Sequence, residues 1–294
     1  MLSILIPTYN YDCHDLVREL HRQATECNIL FEIIVANDCS TLSLTKLNEI
    51  NNLPNFKLIN LEHNLGRAKI RNYLASISQY NTLLFLDSDS YPASKNFIAN
   101  YIKYINSNIT LLGGRIYRVA QTPNHSLLTK YGSTYEQNQG DIHVSHRPFT
   151  SPNFLIPKDI FNQNKFNENI KGYGHEDTLF GIELQRKGIP YYRFDNPIIH
   201  LQIEENRIFL KKTEESIENL YRIYMSNEYP ELTQISPILN LYSKLKYIRL
   251  SSAFAYIYKK FSKQLIDRCD RPNPKLDLFS LYKLCYLCHI ATQK

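Results

Sequence analysis

The chain has 294 residues, 43% of them hydrophobic and 21% charged, a balance that excludes a disordered or fibrous polymer and suits one large domain or a domain with an extension. Its net charge of +6 is uneven: residues 230–294 carry eleven Lys or Arg against four Asp or Glu, a net of +7, so the body is close to neutral. No apolar stretch reaches the length of a membrane span, and MLSILIPTYN lacks the basic n-region of a secretory signal, so cytoplasmic residence is the expectation.

In chain order, SILIPTY (3–9) reads as a short apolar strand. Leu16, Val17, Leu20, Ala24 and Cys27 then recur at helical spacing, and FEIIVAND (31–38) is a second strand ending in a carboxylate. Leu44, Leu47 and Ile50 mark a short helix, KLINL (57–61) a third strand and GRAKIRNYLASIS (66–78) a helix. TLLFLD (82–87) is a fourth strand, followed by a helix from Phe97 to Ile105. Strands alternating with helices predict an α/β fold around a mostly parallel sheet. Ligands of such sheets gather outside the carboxyl ends of the strands, where Thr8, Asp38 and Asp87 all fall. Residues 120–150, without periodicity, read as a long loop. From 205 onward Phe209, Leu210, Thr213, Ile217, Leu220 and Tyr224 form a helical stripe. The expected division is an α/β domain over 1–204 and an all-helical, basic extension over 205–294.

The stretch LLFLDSDSY (83–91) needs its own account, because an unbroken apolar run ends in two carboxylates. Strand alternation predicts that Asp87 and Asp89 point the same way and Ser88 the other. Two neighbouring carboxylates repel unless something positive lies close. The six cysteines, at 13, 27, 39, 269, 285 and 288, read as free thiols. CYLCH (285–289) matches the c-type haem pattern, but the plainer reading of two cysteines one helical turn apart on an apolar face is preferred.

SILIPTYN, the strand ending in Asp38, NLGRAKIRN (64–72), Asp87-Ser88-Asp89, GYGHEDTLFGIEL (172–184) and IIHL (198–201) together resemble, in order and spacing, the family 2 glycosyltransferases of the GT-A fold. The resemblance covers about the first two-thirds of the chain. It implies an inverting, non-processive transfer of a hexose or N-acetylhexosamine from a nucleotide sugar, usually a UDP sugar, to a hydroxyl. The acceptor would be a glycan or lipid-linked molecule in bacterial surface polysaccharide synthesis.

The resemblance also implies roles. Pro7, Thr8, Asp38, Asn64, Gly66, Arg71, Asp87 and Ser88 would bind the donor: Asp38 the base, Arg71 the diphosphate and Asp87 the ribose. Asp89 and His200 would hold a divalent cation, with Mn2+ favoured over Mg2+ by the imidazole. Asp177 would be the catalytic base, with Glu176 beside it as a second catalytic or acceptor-binding carboxylate and Tyr173 as an acceptor contact.

Some features depart from the family pattern. Cys39 stands in a turn that often reads Asp-Asp-Gly-Ser, and Tyr173 replaces a usual tryptophan. The Gln-x-x-Arg-Trp motif of processive synthases is missing. A sugar nucleotidyltransferase of related fold is disfavoured because PTYNYD (7–12) is neither glycine-rich nor basic. A non-catalytic relative is disfavoured by the intact Asp89 and Asp177. The basic extension, with Lys244, Lys246, Arg249, Lys259, Lys260 and Lys263 among Leu241, Leu245, Leu250, Phe254, Ile257 and Phe261, points to an anionic partner. A membrane surface is preferred to nucleic acid, which would place the protein peripherally on the inner membrane.

Overall fold

The computed structural model describes residues 1–118, 123–137, 142–145, 147–170 and 172–293. They form two units. The first comprises Met1–Arg118, Glu136–Asn169 and Glu176–Gln202; the second comprises the described residues of Val119–Tyr135, Ile170–His175 and Ile203–Lys294.

The chain begins with β1 (Leu2–Thr8), α1 (His14–Glu26), β2 (Phe31–Asn37), α2 (Thr45–Glu49), β3 (Phe56–Asn60), α3 (Gly66–Ile77) and β4 (Thr82–Leu86). It continues through β5 (Ser90–Pro92), α4 (Phe97–Ile102), β6 (Thr110–Leu112) and β7 (Arg115–Tyr117). After α5 (Ser126–Tyr135), which belongs to the second unit, come β8 (His143–Val144), β9 (Asn153–Pro157), α6 (Lys158–Gln163), α7 (Glu176–Arg186), β10 (Tyr191–Arg193) and β11 (Ile198–His200).

Among the described residues eight strands pair in the order β3-β2-β1-β4-β9-β6-β10-β8. The pairs β3–β2, β2–β1, β1–β4 and β6–β10 are parallel, while β9 runs antiparallel between β4 and β6. The mostly parallel sheet is as expected, and its apolar runs are contiguous because both faces are covered. Ile4 and Ile6 of β1, Ile33 and Val35 of β2, and Leu84 and Leu86 of β4 enter one core with Leu16, Val17 and Leu20 of α1. The alternate residues Leu5, Ile34, Leu83 and Phe85 enter the opposite core with Ile70 and Leu74 of α3 and Phe180 of α7. Because β2, β1 and β4 are adjacent and parallel, Thr8, Asp38 and Asp87 meet at one edge.

A second sheet, β5-β11-β7, is small but positions the site. The route into it runs through Gly113 and Gly114. A Cβ on Gly113 would lie 2.2 Å from the Tyr101 hydroxyl and 2.6 Å from the Asn196 carbonyl oxygen, so only glycine fits. Around it the buried Tyr101 hydroxyl donates to Asn153 Oδ1 at 2.6 Å, and Asn153 Nδ2 donates to the Gly114 and Asn196 carbonyls, each at 2.9 Å. Gly114, at φ 81°, then delivers β7 alongside β11.

The second unit is helical. With α5 it contains α8 (Asn206–Ser226), α9 (Leu232–Ile235), α10 (Pro237–Tyr247), α11 (Ser251–Cys269) and α12 (Leu276–Thr292). Tyr131 of α5, Phe209 of α8 and Phe279 of α12 pack ring to ring. The hydroxyls of Tyr258 and Tyr282 both donate to Glu214 Oε1, at 2.9 and 2.6 Å. Cys285 and Cys288 are buried free thiols on α12, as the plainer reading of CYLCH has it. Among the described residues no helix is long and apolar enough to cross a membrane.

Two expectations are corrected. Residues 120–150 are not one long loop: they contain α5 and β8. The α5 sequence SLLTKYGSTY buries only a few side chains, chiefly Leu127 and Leu128, so it shows little periodicity. The remainder of that segment lies in part outside the described residues. Nor does strand alternation set the directions of Asp87 and Asp89, because β4 stops at Leu86 and residues 88–89 form a turn.

Candidate active site

Each acidic motif residue at the sheet edge has a definite partner. Asp38, buried, accepts the N–H of Leu65 at 2.6 Å and of Gly66 at 3.0 Å, anchoring the positive end of α3. Asn64 Nδ2 donates to the Asp38 carbonyl at 2.9 Å. Gly66 holds φ 78°, and no protein atom lies within 4 Å of where its Cβ would be, so the backbone here is open to close approach. The Thr8 carbonyl accepts the Asp38 N–H at 2.8 Å, and the Thr8 hydroxyl donates to the Tyr11 carbonyl at 2.6 Å. Pro7 precedes Thr8 on β1. Cys39 adopts φ 60°, a left-handed position that favours glycine.

Each of the aspartates after β4 has a protein partner. Arg71, buried inside α3 rather than solvated, donates from Nη2 to Asp87 Oδ1 at 2.8 Å and from Nη1 to the Arg67 carbonyl at 3.0 Å. Its Nε has no hydrogen-bond partner among the described residues. Asp89 Oδ2 lies 3.5 Å from His200 Nδ1. That proximity follows from pairing, since β11 runs antiparallel to β5 with His200 opposite Ser90, and the Leu201 N–H donates to the Asp89 carbonyl at 2.8 Å. Burial opposes the charge of Asp89, but His200, Arg115 and Arg67 outweigh it and hold its carboxyl below the ordinary range. Ser88, half-buried, sits in the turn between the two aspartates.

A second tier supports His200. Opposite it on β7 is Tyr117, whose ring meets the imidazole edge-on at 5.4 Å. Glu136 accepts hydrogen bonds from the Tyr117 hydroxyl and from Arg115 Nη2, the latter at 2.6 Å. The Arg115 guanidinium lies 5.1 Å from the centre of the Tyr117 ring.

The two carboxylates that open α7 differ sharply. Glu176 is buried, accepts from Arg67 Nε at 2.5 Å and lies 3.9 Å from Arg71 Nη1. Burial works against its charge, yet the two guanidiniums win and hold it below the ordinary range. Asp177, half-buried, takes the N–H of Thr178 at 2.7 Å. Burial, reinforced by the charge of Glu176, pushes its pKa up to about 6. One carboxylate is thus a fixed anion and its neighbour a proton acceptor poised near neutrality. Tyr173 belongs to the second unit, where its carbonyl accepts from Asn219 Nδ2 at 3.0 Å and Lys212 Nζ lies 5.4 Å from its ring centre.

Asp89 and His200 form a donor set of one carboxylate and one imidazole. Among the described residues no three His, Cys, Asp or Glu side chains gather to hold a metal unaided. The pair therefore fits an ion that completes its shell with phosphate oxygens and water.

The model of the family described as Glycosyl transferase family 2 matches residues 3–164. The chain belongs to glycosyl transferase family 2. This family 2 chain is 26% identical over 231 residues to chondroitin synthase from Escherichia coli, covering 65% of the chain but 33% of the synthase. It thus spans about a third of that relative's length. Among solved structures it is similar to the mannosyltransferase PcManGT from Pyrobaculum calidifontis in complex with GDP-Man and Mn2+, with a TM-score of 0.60 at 10% identity, over 99% of this chain and 86% of that one. It is also similar to GalNAc-T7 with UDP, GalNAc and Mn2+, with a TM-score of 0.56 at 16% identity, over 70% and 44% of the respective chains. Likeness at these identities carries the fold, which is GT-A. In this family 2 chain, motif reading passed over Arg67, Arg115, Tyr117 and Glu136. Arg67 lies inside the quoted NLGRAKIRN, and Gly113-Gly114 announces the crossing that brings in Arg115 and Tyr117.

Proposed function

We propose that this protein is an inverting, non-processive glycosyltransferase that moves one sugar from a UDP sugar to a hydroxyl of a glycan or lipid-linked acceptor in surface polysaccharide synthesis. The observation that carries the reading is the divergence of Glu176 and Asp177 in a family 2 chain. Transfer to a hydroxyl needs a base, and a carboxylate with a pKa of about 6 is ionised at neutral pH yet basic enough to take a proton.

The donor would lie over the edge formed by β1, β2 and β4. Asp38 already uses both oxygens on backbone N–H groups, so the base would meet their remaining lone pairs, with Pro7, Thr8 and Asn64 beside it. Asp87 and Ser88 would take the ribose, with Asp87 oriented by Arg71. The open backbone at Gly66 and the partly exposed Arg67 would face the diphosphate, so Arg67 joins Arg71 in supplying positive charge there.

Asp89 and His200 would hold a divalent cation, Mn2+ ahead of Mg2+. When bound, it neutralises charge developing on the departing diphosphate. The relatives of like fold that contain Mn2+ with GDP-Man or with UDP support this reading. Asp177 takes the proton from the acceptor hydroxyl as that oxygen bonds to the anomeric carbon, and the bond from that carbon to the diphosphate oxygen breaks with its electron pair going to UDP. Attack opposite the leaving group inverts the centre. Glu176, fixed by Arg67, raises the basicity of Asp177 through its charge.

The test is a panel of UDP and GDP sugars screened for thermal stabilisation with Mn2+, since ligands of the native state raise Tm, followed by product analysis with the best donor. A UDP sugar is expected to give the largest shift and a product of inverted anomeric configuration. A larger shift with a GDP sugar, or retention, contradicts the proposal.

A further inference from the structure

Between Glu231 and Asp267 the chain has no acidic residue, yet it carries Lys244, Lys246, Arg249, Lys259, Lys260 and Lys263. Within the second unit this segment includes α10, a corner and most of α11. The corner is a Schellman turn: the Arg249 N–H donates to the Lys246 carbonyl and the Leu250 N–H to the Leu245 carbonyl, at 3.1 and 2.8 Å. Arg249 occupies the left-handed position at φ 60°, where glycine is usual.

Apolar side chains at such turns normally fold back against their helix. Here Lys246 to Leu250 are five consecutive exposed residues, with Tyr247 90% and Ile248 56% accessible. Leu241 extends the exposed apolar surface along α10, and Tyr256 and Phe261 extend it along α11. Lys260 Nζ lies 5.9 Å from the Tyr256 ring centre and 5.3 Å from that of Phe261. The face differs from the one the sequence pattern suggested, because Leu245 is buried while Tyr247, Ile248 and Tyr256 project.

We propose that the α10–α11 corner is a membrane-docking tip, in which Tyr247, Ile248 and Leu250 enter the headgroup boundary of an anionic bilayer while the six flanking cations meet its phosphates. Exposed apolar residues interspersed with cations, in a stretch that has no acidic residue of its own, are what an interfacial element requires, and tyrosine favours the headgroup level. Nucleic acid also attracts cations and aromatic rings, but aliphatic Ile248, Leu250 and Leu241 gain nothing from a solvated phosphate backbone. Docking is independent of the donor chemistry, so the two stand or fall separately.

The chain contains no tryptophan, so Tyr247→Trp in the full chain is a single reporter at the most exposed point. The expected result is a blue-shifted emission and flotation with vesicles containing phosphatidylglycerol at low salt, but not with phosphatidylcholine alone. The wild-type chain, floated in parallel, should behave alike. Lys259→Glu with Lys260→Glu should weaken partitioning about tenfold or more, and Ile248→Asn should abolish the blue shift with circular dichroism unchanged. Absence of a shift with anionic vesicles, equal binding to neutral ones, or a shift produced by a single-stranded oligonucleotide but not by vesicles overturns the proposal.

Discussion

Glu176 and Asp177 are adjacent carboxylates displaced in opposite directions: Arg67, 2.5 Å away, and Arg71 keep the first ionised, while burial and the first one's charge lift the second to about 6. Both open α7, where the helix dipole alone would favour the charge of each alike. The difference comes from Arg67 and Arg71 outweighing burial at Glu176, while at Asp177 burial and the charge of Glu176 outweigh the same arginines.

Asp177→Asn should retain UDP binding and lose about 10² to 10⁴-fold in transfer rate, since the amide keeps the shape but accepts no proton. The same variant should be more stable than wild type at neutral pH. A carboxyl whose folded pKa is raised from 3.8 to about 6 binds more protons folded than unfolded in that window, so its contribution to stability falls as pH rises through it. The Tm gain of the variant should be full above pH 6 and fade toward pH 4. Near-normal transfer would move the base elsewhere.

Glu176→Gln removes the negative neighbour and frees Arg67 and Arg71 to act on Asp177. Both changes lower its pKa. The acidic limb of kcat/KM, expected near pH 6 in wild type, should move to lower pH in the variant, read from a pH–rate profile with the donor identified by the stabilisation panel. A limb that stays in place would separate Glu176 from the base.

Glu136→Ala leaves Arg115 and the Tyr117 hydroxyl without the acceptor they share. The expected cost is about 2 kcal/mol in urea unfolding. Binding of UDP with Mn2+ should also weaken, because the Tyr117 ring that braces His200 loses its anchor. Unchanged affinity would confine Glu136 to a structural role.

Gly113→Ala should destabilise the protein by about 2 kcal/mol or more. The new Cβ meets the Tyr101 hydroxyl and the Asn196 backbone, neither the free end of a flexible chain. Gly188, at φ 67° with open space around it, is the control: Gly188→Asn should cost less. Urea midpoints compare them directly.

The strands were legible because a sheet covered on both faces demands contiguous apolar residues, and Ile33-Ile34-Val35 and Leu83 to Leu86 supply them. Asp38 and Asp87 were legible as the places where those runs stop. Arg67 was not, because it sits on a helix face whose solvated residues look the same; only the fold brings Glu176 to it across 109 positions. Arg115 and Glu136 have no motif, as an ion pair across 21 residues leaves no periodic trace. The antiparallel β9 escaped notice because NFLIP is short and borders a polar segment. The exposure of Tyr247 and Ile248 depends on how α10 ends, which hydropathy does not record.

Calorimetric titration of the full chain with UDP tests the central claim most directly, because it needs no knowledge of sugar or acceptor. With Mn2+ present the account predicts saturable binding by the wild-type chain, weakened at least about tenfold when EDTA removes the metal and likewise in Asp89→Ala, a loss corresponding to about 1.4 kcal/mol. Equal affinity in all three conditions would contradict it.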